Sequence, residues 1–375
     1  MKSKIKSFVC KAIQSYIRYM LYRNYSAQFK RYLKLHGFEN KKATGEDAYI
    51  ERWNVLCNRV EPYSYRFFSH YCGNTPNIVP EDIGRSYIEP VLNPPVFRPA
   101  YSDKNLFPLI IGKEHVPRTI ICRINGSNLL DGDFNFADKD LNNYIGDSET
   151  LVLKPSVGTC SGKGVMLFHK CGSDFLSNDK SVVLSKKYLQ AYGSNFCLQD
   201  GVQQHEFMYS LCSTSVNTIR ICLYRSVKNE KSHVTASVVR IGKKGSFVDN
   251  VHAGGVRIGV NVKTGELGRF VVDTYGTIFD TWNNIDYSKS TFYVPYWHNI
   301  IAFAEYIGSR IHHHRLIALD IAIEKGGRPL LIEYNIESFS YSPYMCTGQE
   351  VFGEYTDEII EYCSKKRNVT IDRIH

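Results

Sequence analysis

The chain has 375 residues and a mass of 43.0 kDa, with 43% hydrophobic and 22% charged residues. This composition supplies a sizeable core and excludes a wholly disordered or collagen-like chain, and the length predicts two or three domains. Lys and Arg number 46 against 37 acidic residues, a formal net charge of +9. An excess of this size is compatible with nucleic acid, a membrane surface or phosphorylated small molecules as partners.

The cysteines and the hydropathy pattern narrow the class of protein further. The sequence has 11 cysteines but no C-x-x-C pair, so the spacing predicts neither a disulfide framework nor a zinc site. A reducing, cytoplasmic compartment is the simplest interpretation. No uninterrupted apolar run approaches the roughly 18 residues that a membrane span requires.

The first 90 residues are predicted to be mostly helical. Apolar residues among the first 21 recur at i, i+3 and i+4, which indicates an amphipathic helix and argues against a cleaved signal peptide. This helix has two interpretations: it packs on its own protein, or it lies on an anionic membrane, because basic residues flank the apolar stripe. These basic residues are Lys2, Lys4, Lys6, Lys11, Arg18 and Arg23.

A proline-rich stretch near residue 95 cannot continue a helix and predicts a linker, after which short β-branched runs begin. The predicted strands are Thr119–Arg123, Thr150–Lys154, Val165–Phe168, Phe196–Gln199, Val216–Tyr224, Val234–Ile241, Gly254–Val260, Leu316–Glu324 and Pro329–Asn335. A helix is predicted over Tyr296–Ser309. Strand-rich lobes with intervening helices predict an α+β fold, and no G-x-G-x-x-G sequence opens a helix as dinucleotide-binding folds require.

The segment LVLKPSVGTCSGKGVMLF, residues 151–168, places a loop rich in Gly, Ser and Thr between two predicted strands. Such a loop lets backbone N–H groups approach phosphate oxygens, and Lys154 at the strand end adds a cation. The spacing is not that of a Walker loop. Taken alone, the loop has two interpretations, a nucleotide-phosphate site or a structural hairpin.

Asp320 lies on one predicted strand, and Glu333 and Asn335 lie on the next, after a Gly-rich turn. Residues two apart on a strand share a face, and an antiparallel partner brings Asp320 beside them. Two carboxylates and a carboxamide are hard oxygen ligands of the kind that Mg²⁺ prefers. The alternative is a set of polar residues that face water at the strand ends.

These pieces, in this order, resemble the ATP-grasp superfamily, most closely its sugar-transfer-associated branch. The resemblance covers about residues 100 to 340. Its motifs are Asp103-Lys104 ahead of VPRTI, LVLKPS with the Gly-rich loop, LQDGVQQHE, SVNTIRI, AGGVRIGVNVKTG, and ALDIAI with LIEYN. One such motif would be weak evidence, whereas six in the family's order are strong evidence. The resemblance implies two α+β lobes that grip ATP, with an N-terminal helical region.

The resemblance implies a role for each matching nucleotide residue. Lys104 and Lys154 hold the ATP phosphates, and the 156–164 loop, with Ser156, Gly162 and Gly164, is the lid over them. The interlobe linker, with Gln199, Asp200 and Val202, hydrogen-bonds the adenine, and His205 or Glu206 reaches the ribose. The implied divisions are 1–95 for the helical region, 96–196 for the first lobe and 197–375 for the second.

The resemblance makes Asp320, Glu333 and Asn335 the magnesium ligands. Many amino-acid ligases of the superfamily carry an arginine two residues before this aspartate, where Ala318 stands here. Another group must then offset the charge of the transferring phosphoryl, and Arg220 is the first candidate and Arg240 the second. For the acceptor substrate, Gly254 and Gly255 leave room between two strands, and Arg257 offers a bidentate partner to a carboxylate.

The sequence therefore predicts an ATP- and Mg²⁺-dependent carboxylate–amine ligase, and the resemblance places it in bacterial surface-polysaccharide assembly. The alternatives are a phosphotransferase acting on a sugar or glycan hydroxyl, and a non-catalytic nucleotide-binding partner of glycosyltransferases. The expected partners are an amine and a carboxylate on a small molecule, a nucleotide sugar or a glycan. The basic N-terminal helix is expected to contact either the membrane or glycan-assembly enzymes, and no nucleic acid is expected. The tract His312-His313-His314 is interpreted as structural, because no metal-binding partners are evident.

Overall fold

The computed structural model describes residues 2–126, 128–158, 162–246, 249 and 254–366. Its helices are α1 Lys2–Leu35, α2 Glu46–Asn54, α3 Tyr63–Cys72, α4 Glu81–Ile83, α5 Glu89–Leu92, α6 Phe107–Ile111, α7 Asn142–Ile145, α8 Lys186–Tyr192, α9 Glu206–Leu211, α10 Trp297–Arg310, α11 Ser342–Met345 and α12 Thr356–Ser364. A π-helical turn joins α4 to α5. No helix in the described ranges combines the length and apolarity that crossing a bilayer requires.

Fifteen strands are described, and all of the pairs between them are antiparallel. They are β1 Thr119–Ile124, β2 Leu130–Asp131, β3 Thr150–Pro155, β4 Met166–Cys171, β5 Asp174–Ser177, β6 Asn195–Asp200, β7 Thr218–Arg225, β8 Ser232–Ile241, β9 Val256–Val260, β10 Leu267–Val272, β11 Ile278–Phe279, β12 Thr281–Trp282, β13 Ile285–Asp286, β14 Leu316–Ile323 and β15 Pro329–Asn335. The α+β fold class is confirmed.

The strands form two main sheets. The smaller sheet has the order β2-β1-β6-β3-β4-β5, and the larger has the order β11-β10-β9-β8-β7-β14-β15. The structure has each of the predicted strands, with ends that lie within a few residues of those predicted. The reason is that β-branched runs between turn residues specify strands well. The predicted domain divisions stay predictions. Phe196, at one of them, lies within β6.

The larger sheet is buried on both faces, and its side chains alternate between two cores. Ile221, Val239 and Leu319 pack with α10 on one face. Cys222, Val238 and Ala318 pack on the opposite face with the N-terminal helices and the segment around α11. The N-terminal helices therefore cover the sheet face to which residues 318 and 320 belong.

Helix α1 is long, and only its second half packs in the core. Phe29 and Leu33 are fully buried against α3. Val9, Ile13 and Tyr16 are 47%, 51% and 62% exposed. The interpretation that α1 packs on its own protein is thus confirmed for the second half, whereas the apolar side chains of Val9, Ile13 and Tyr16 remain largely exposed.

Candidate active site

A cavity of about 1280 Å³ is lined by residues of both sheets and of α1 and α3. Pockets for a single drug-sized ligand usually measure about 300–1,000 Å³, so this cavity has room for more than one small molecule. Most of the predicted site residues lie along its wall, including both candidate lysines and the three candidate metal ligands.

A row of charged residues crosses the floor of the cavity on neighbouring strands. Asp320 on β14 pairs in register with Glu333 on β15 and with Arg220 on β7. Cross-strand partners place their side chains on one face, and Asn335, two residues beyond Glu333, shares it. The structure therefore brings the three predicted metal ligands together with Arg220.

Asp320 is 3% exposed and is held by two arginines. Arg220 donates from Nε to Oδ1 at 2.8 Å and from Nη2 to Oδ2 at 2.6 Å, and Arg240 donates from Nη1 to Oδ2 at 3.1 Å. Burial raises the pKa of the Asp320 carboxyl, but the two guanidinium charges outweigh burial and hold this pKa below its usual value. Asp320 is therefore an anion at any neutral pH.

Arg240 links this row to a second buried acid. Its Nη2 lies 3.0 Å from Oδ1 of Asp249. The other oxygen of this carboxylate, Oδ2, accepts a hydrogen bond from the backbone N–H of Thr218 at 3.1 Å. Burial raises the pKa of Asp249, and Arg240 opposes this rise. Two acids and two arginines thus form one buried network beside the cavity.

Two lysines extend the row toward the smaller sheet. Lys104 Nζ lies 2.9 Å from Glu333 Oε1, and its side chain is 11% exposed. Lys154, at the end of β3, also lines the cavity. Burial lowers the pKa of the Lys154 ammonium, and neighbouring Lys104 lowers it further. Two cations held close together favour a ligand with several negative charges, such as a polyphosphate.

The acid–acid–amide set fits a magnesium ion. All three residues offer hard oxygen donors on one sheet face. The Asn335 side-chain nitrogen is buried and has no hydrogen-bond partner in the described part of the chain, so no hydrogen bond there fixes which way the amide is turned. An ionised carboxylate accepts at about four sites, and the arginines take three on Asp320, which leaves one toward the cavity. Asp320, Glu333 and Asn335 would hold the ion.

The Gly-rich loop leaves β3 beside these lysines. Gly158 and Gly162 line the cavity, and both have positive φ, of 69° and 74°, a backbone conformation that glycine adopts without strain. Ser156 is fully buried and bonds through its carbonyl to the Lys104 N–H at 3.0 Å. Gly164 lies outside the main cavity, where Tyr192 donates a hydrogen bond to its carbonyl. Part of the predicted lid, residues 159–161, lies outside the described residues.

The predicted adenine linker also lines the cavity, at Gln199, Asp200 and Val202. Gln199 is buried and donates to the Thr119 hydroxyl at 3.2 Å. Asp200 accepts from Arg118 Nε at 2.7 Å. Both side chains are thus hydrogen-bonded within the protein. The backbone of the linker and the apolar Val202 side chain are the groups that remain to contact an adenine base.

His205 and Glu206 are not among the described residues that line the cavity, and their contact with the ribose stays a prediction. Helix α9 begins here: His205 Nδ1 accepts from the Phe207 N–H at 3.2 Å and caps the helix. Gln203 and Ser213 line the cavity instead. Sequence reasoning missed them because only the fold brings the two segments together.

Arg257 lines the cavity, whereas Gly254 and Gly255 are not among its described lining residues. The glycines precede β9, whose first residue is Val256, so they lie before the stretch that faces the cavity. Arg257 is 7% exposed, and its guanidinium makes no hydrogen bond or ion pair within the described ranges. Burial lowers the pKa of the Arg257 guanidinium, and Arg220 and Arg240 lower it further, whereas Cys346 and Asp273 oppose this shift.

The histidine tract is structural in the described chain. His313 stacks on Phe97 at 4.0 Å between ring centroids, and its Nδ1 lies 2.8 Å from the Tyr101 hydroxyl. His314 is fully buried. No group of three His, Cys, Asp or Glu residues is arranged to hold a metal ion among the residues described.

The two antiparallel sheets, the Gly-rich loop between β3 and β4 and the acid–acid–amide row define an ATP-grasp protein. The family model of sugar-transfer-associated ATP-grasp proteins matches residues 84–358, and the chain belongs to that family. ATP-grasp proteins are ATP-dependent ligases that use ATP and Mg²⁺. A sequence comparison with curated proteins gave no match.

Solved structures with a similar fold are distant in sequence. D-cycloserine synthetase DcsG is 12% identical, with 74% of each chain covered and a TM-score of 0.40. An L-amino acid ligase from Bacillus licheniformis is 12% identical over 64% of this chain and 41% of its own, with a TM-score of 0.34. Biotin carboxylase from Campylobacter jejuni is 12% identical over 70% and 46%, with a TM-score of 0.38. The chain thus spans less than half the length of the latter two.

Proposed function

We propose that the protein is a carboxylate–amine ligase that acts through an acylphosphate. The observation that carries this proposal is the row of Glu333, Asp320 and Arg220 beside Lys104 and Lys154. This row concentrates cations and metal ligands at one end of a cavity that has room for a second substrate. In the reaction, a carboxylate oxygen attacks the terminal phosphorus of ATP and ADP leaves. The amine then attacks the acyl carbon and phosphate leaves.

The chain's own residues supply electrostatics and closure. Lys104 and Lys154 bind the phosphates of ATP, and Mg²⁺, when bound by Asp320, Glu333 and Asn335, offsets the charge of the terminal phosphates. Arg220 stabilises the phosphoryl group during transfer, and Arg240 keeps Asp320 ionised and oriented. The Gly-rich loop closes over the nucleotide and keeps water from the acylphosphate. Val202 and the linker backbone bind the adenine.

The acceptor carboxylate is proposed to bind at Arg257. A buried guanidinium that makes no ion pair with a described residue has a desolvation cost that a carboxylate offsets through two parallel hydrogen bonds. A carboxylated sugar of a surface polysaccharide fits this proposal, which is supported by the family's association with sugar transfer. Incubation with ATP, Mg²⁺ and pools of sugar acids and amines, followed by phosphate release and product mass, tests the activity. ATP consumption without a condensed product would contradict it.

We also propose that the exposed half of α1 rests on an anionic lipid surface at the cytoplasmic face of a membrane. Val9, Ile13 and Tyr16 are exposed at helical spacing. The sequence has no acidic residue before Glu39, although it has nine basic residues in that stretch. An apolar stripe flanked only by basic charge is complementary to anionic headgroups.

Sedimentation with vesicles tests this contact. The full chain should bind vesicles that contain phosphatidylglycerol, and not vesicles of phosphatidylcholine alone. Val9→Asp with Ile13→Asp should abolish binding, and Asn24→Ala should not. Equal binding to neutral vesicles, or a dimer that the double variant dissociates, would overturn the lipid assignment in favour of simple apolar adhesion or a second copy of the chain.

A further inference from the structure

One wall of the cavity is built by helices outside the family match. The match begins at residue 84, but Gln28 and Tyr32 of α1 line the cavity together with Arg257 and Thr274. Thr274 lies in the turn that follows β10. The segment that precedes the family region is therefore part of the site.

Aromatic rings hold this wall in place. The Tyr32 ring makes edge-on contacts with the rings of Phe29 and Tyr275. The ring centroids are 5.9 and 6.3 Å away, and the interplanar angles are 88° and 89°. These contacts fix the Tyr32 hydroxyl beside Gln28, whose Nε2 donates to it at 3.3 Å. Burying a polar pair among aromatic rings costs free energy unless its remaining donors and acceptors find hydrogen-bond partners.

The turn that carries Thr274 is fastened to the same helices. Tyr71 of α3 donates to the Gly276 carbonyl at 2.6 Å, and His36 Nε2 lies 2.8 Å from the Tyr275 carbonyl oxygen. A Cβ at Gly276, where φ is +90°, would come within 2.7 Å of Phe67 Cζ, so the turn and α3 are in close contact. The Thr274 hydroxyl is buried and lacks a hydrogen-bond partner in the described chain.

The chemistry of this wall matches a polyhydroxylated anion. A phenol, a carboxamide and an aliphatic hydroxyl each donate and accept hydrogen bonds, as the hydroxyl groups of a sugar do. Arg257 is more than nine-tenths buried, faces the same cavity and makes no ion pair or hydrogen bond with a described residue, the Asp273 carboxylate acting on it only electrostatically. A simple amino acid would satisfy Arg257 but would leave the Thr274 hydroxyl without a partner and the remaining donors and acceptors of the Gln28–Tyr32 pair unused.

We propose that Gln28, Tyr32 and Thr274 form a hydroxyl-binding subsite that selects a sugar acid whose anionic group Arg257 holds. This inference rests on the proposed ligase function for its choice of a carboxylate as the reacting group. It assigns acceptor selection to residues that precede the family region. The anion at Arg257 is a carboxylate or a phosphate, and both are tested below.

Calorimetry on the full chain loaded with ADP and Mg²⁺ tests the subsite, with glucuronate, glucose 6-phosphate, glucose and acetate as probes. Glucuronate or glucose 6-phosphate should bind at least tenfold more tightly than glucose or acetate, and the better of the two identifies the anion. Gln28→Ala with Tyr32→Phe should weaken the better sugar anion at least tenfold and leave acetate unchanged. Arg257→Gln should weaken the sugar anion and acetate alike.

Asn24→Ala, on an exposed part of α1, is the matched control and should bind like the parent protein. Because the double variant removes buried contacts, thermal unfolding and ADP affinity are measured alongside, and Thr274→Val provides a second variant that leaves α1 intact.

Unchanged sugar-anion affinity in both variants, or no sugar-anion binding by the parent protein, would overturn the subsite. If ADP binds but no sugar anion does, the subsite fails and the nucleotide site stands. If a sugar acid binds but is not condensed with an amine, the ligase proposal fails and the subsite stands.

Discussion

Arg220 and Asp320 face each other across neighbouring strands and form a two-pronged ion pair, with N–O distances of 2.8 and 2.6 Å. The resemblance to amino-acid ligases leads one to expect an arginine on the same strand as the aspartate, at the position that Ala318 occupies. Here the guanidinium comes from β7 instead. The positive charge beside Asp320 therefore comes from a neighbouring strand and not from the strand of the aspartate itself.

Removal of Arg220 separates its effect on transfer from its effect on nucleotide binding. Arg220→Ala should slow turnover by about 10²–10³-fold, as expected for loss of one group that stabilises transition-state charge, while ADP still binds. It should also lower the unfolding temperature, because Asp320 keeps only Arg240 as a partner. Steady-state kinetics and ADP calorimetry measure both effects. Arg269→Ala, an exposed arginine on β10, is the control. Normal turnover in Arg220→Ala would remove this residue from the mechanism.

Glu333 is the more exposed of the two candidate carboxylate ligands of the metal. Its side chain is 32% exposed, and that of Asp320 is 4% exposed. Glu333→Gln keeps its shape and removes one charge, so ATP turnover should be lost and folding should stay nearly intact. Turnover across a magnesium titration and a thermal unfolding curve measure this. Glu324→Gln, whose side chain pairs with Arg328 outside the cavity, is the matched control. Full activity of Glu333→Gln would contradict the magnesium assignment.

Lys154 is predicted to bind the ATP phosphates. Lys154→Met should weaken ATP binding at low salt by about 1.5–3 kcal/mol, the usual range for a charge-assisted hydrogen bond. Calorimetry with ATP measures the loss, and Lys170→Met, on the exposed end of β4, provides the comparison. If Lys154→Met binds ATP as the parent protein does, the Gly-rich hairpin is structural and the nucleotide lies elsewhere.

His314 should make stability depend on pH. Burial lowers its pKa from an ordinary 6.5 to about 4, so between these values the unfolded chain binds a proton that the folded chain does not. The free energy of unfolding should therefore fall as the pH drops from 6.5 to 4, by on the order of 3 kcal/mol from this residue. Denaturant unfolding of His314→Asn should show a shallower pH slope than the parent, and His312→Asn, an exposed neighbour, an unchanged one. Equal slopes in all three proteins would contradict the account.

The α+β fold class and the pairing of the two acid-bearing strands were predictable from local patterns. The strands that carry Asp320 and Glu333 are continuous apolar runs joined by a Gly-rich turn, so their antiparallel pairing follows from the sequence. The contact between Arg220 and Asp320 does not follow in the same way. This contact depends on the register between β7 and β14, whose paired residues are 100 positions apart in the chain, and no local sequence pattern specifies that register.

Two other features depended on tertiary structure. His205 follows the linker directly, but the start of α9 turns its ring into a helix cap. In the sequence, Gln28 is only a polar residue beside the apolar stripe of α1, which is a weak indication of a binding role. Its position in the cavity depends on how α1 packs on α3. Residues at helix starts and on packed helices take their roles from contacts that periodicity does not contain.

The most direct test of the central claim is the fate of oxygen from the carboxylate substrate. With a substrate labelled with ¹⁸O in its carboxylate and a confirmed condensed product, mass spectrometry of the released phosphate should find one ¹⁸O atom per phosphate. The label appears there because the oxygen that attacks ATP leaves with phosphorus when the amine displaces it. Phosphate without label, or a phosphoryl group retained on a sugar hydroxyl, would contradict the ligase account and indicate a phosphotransferase.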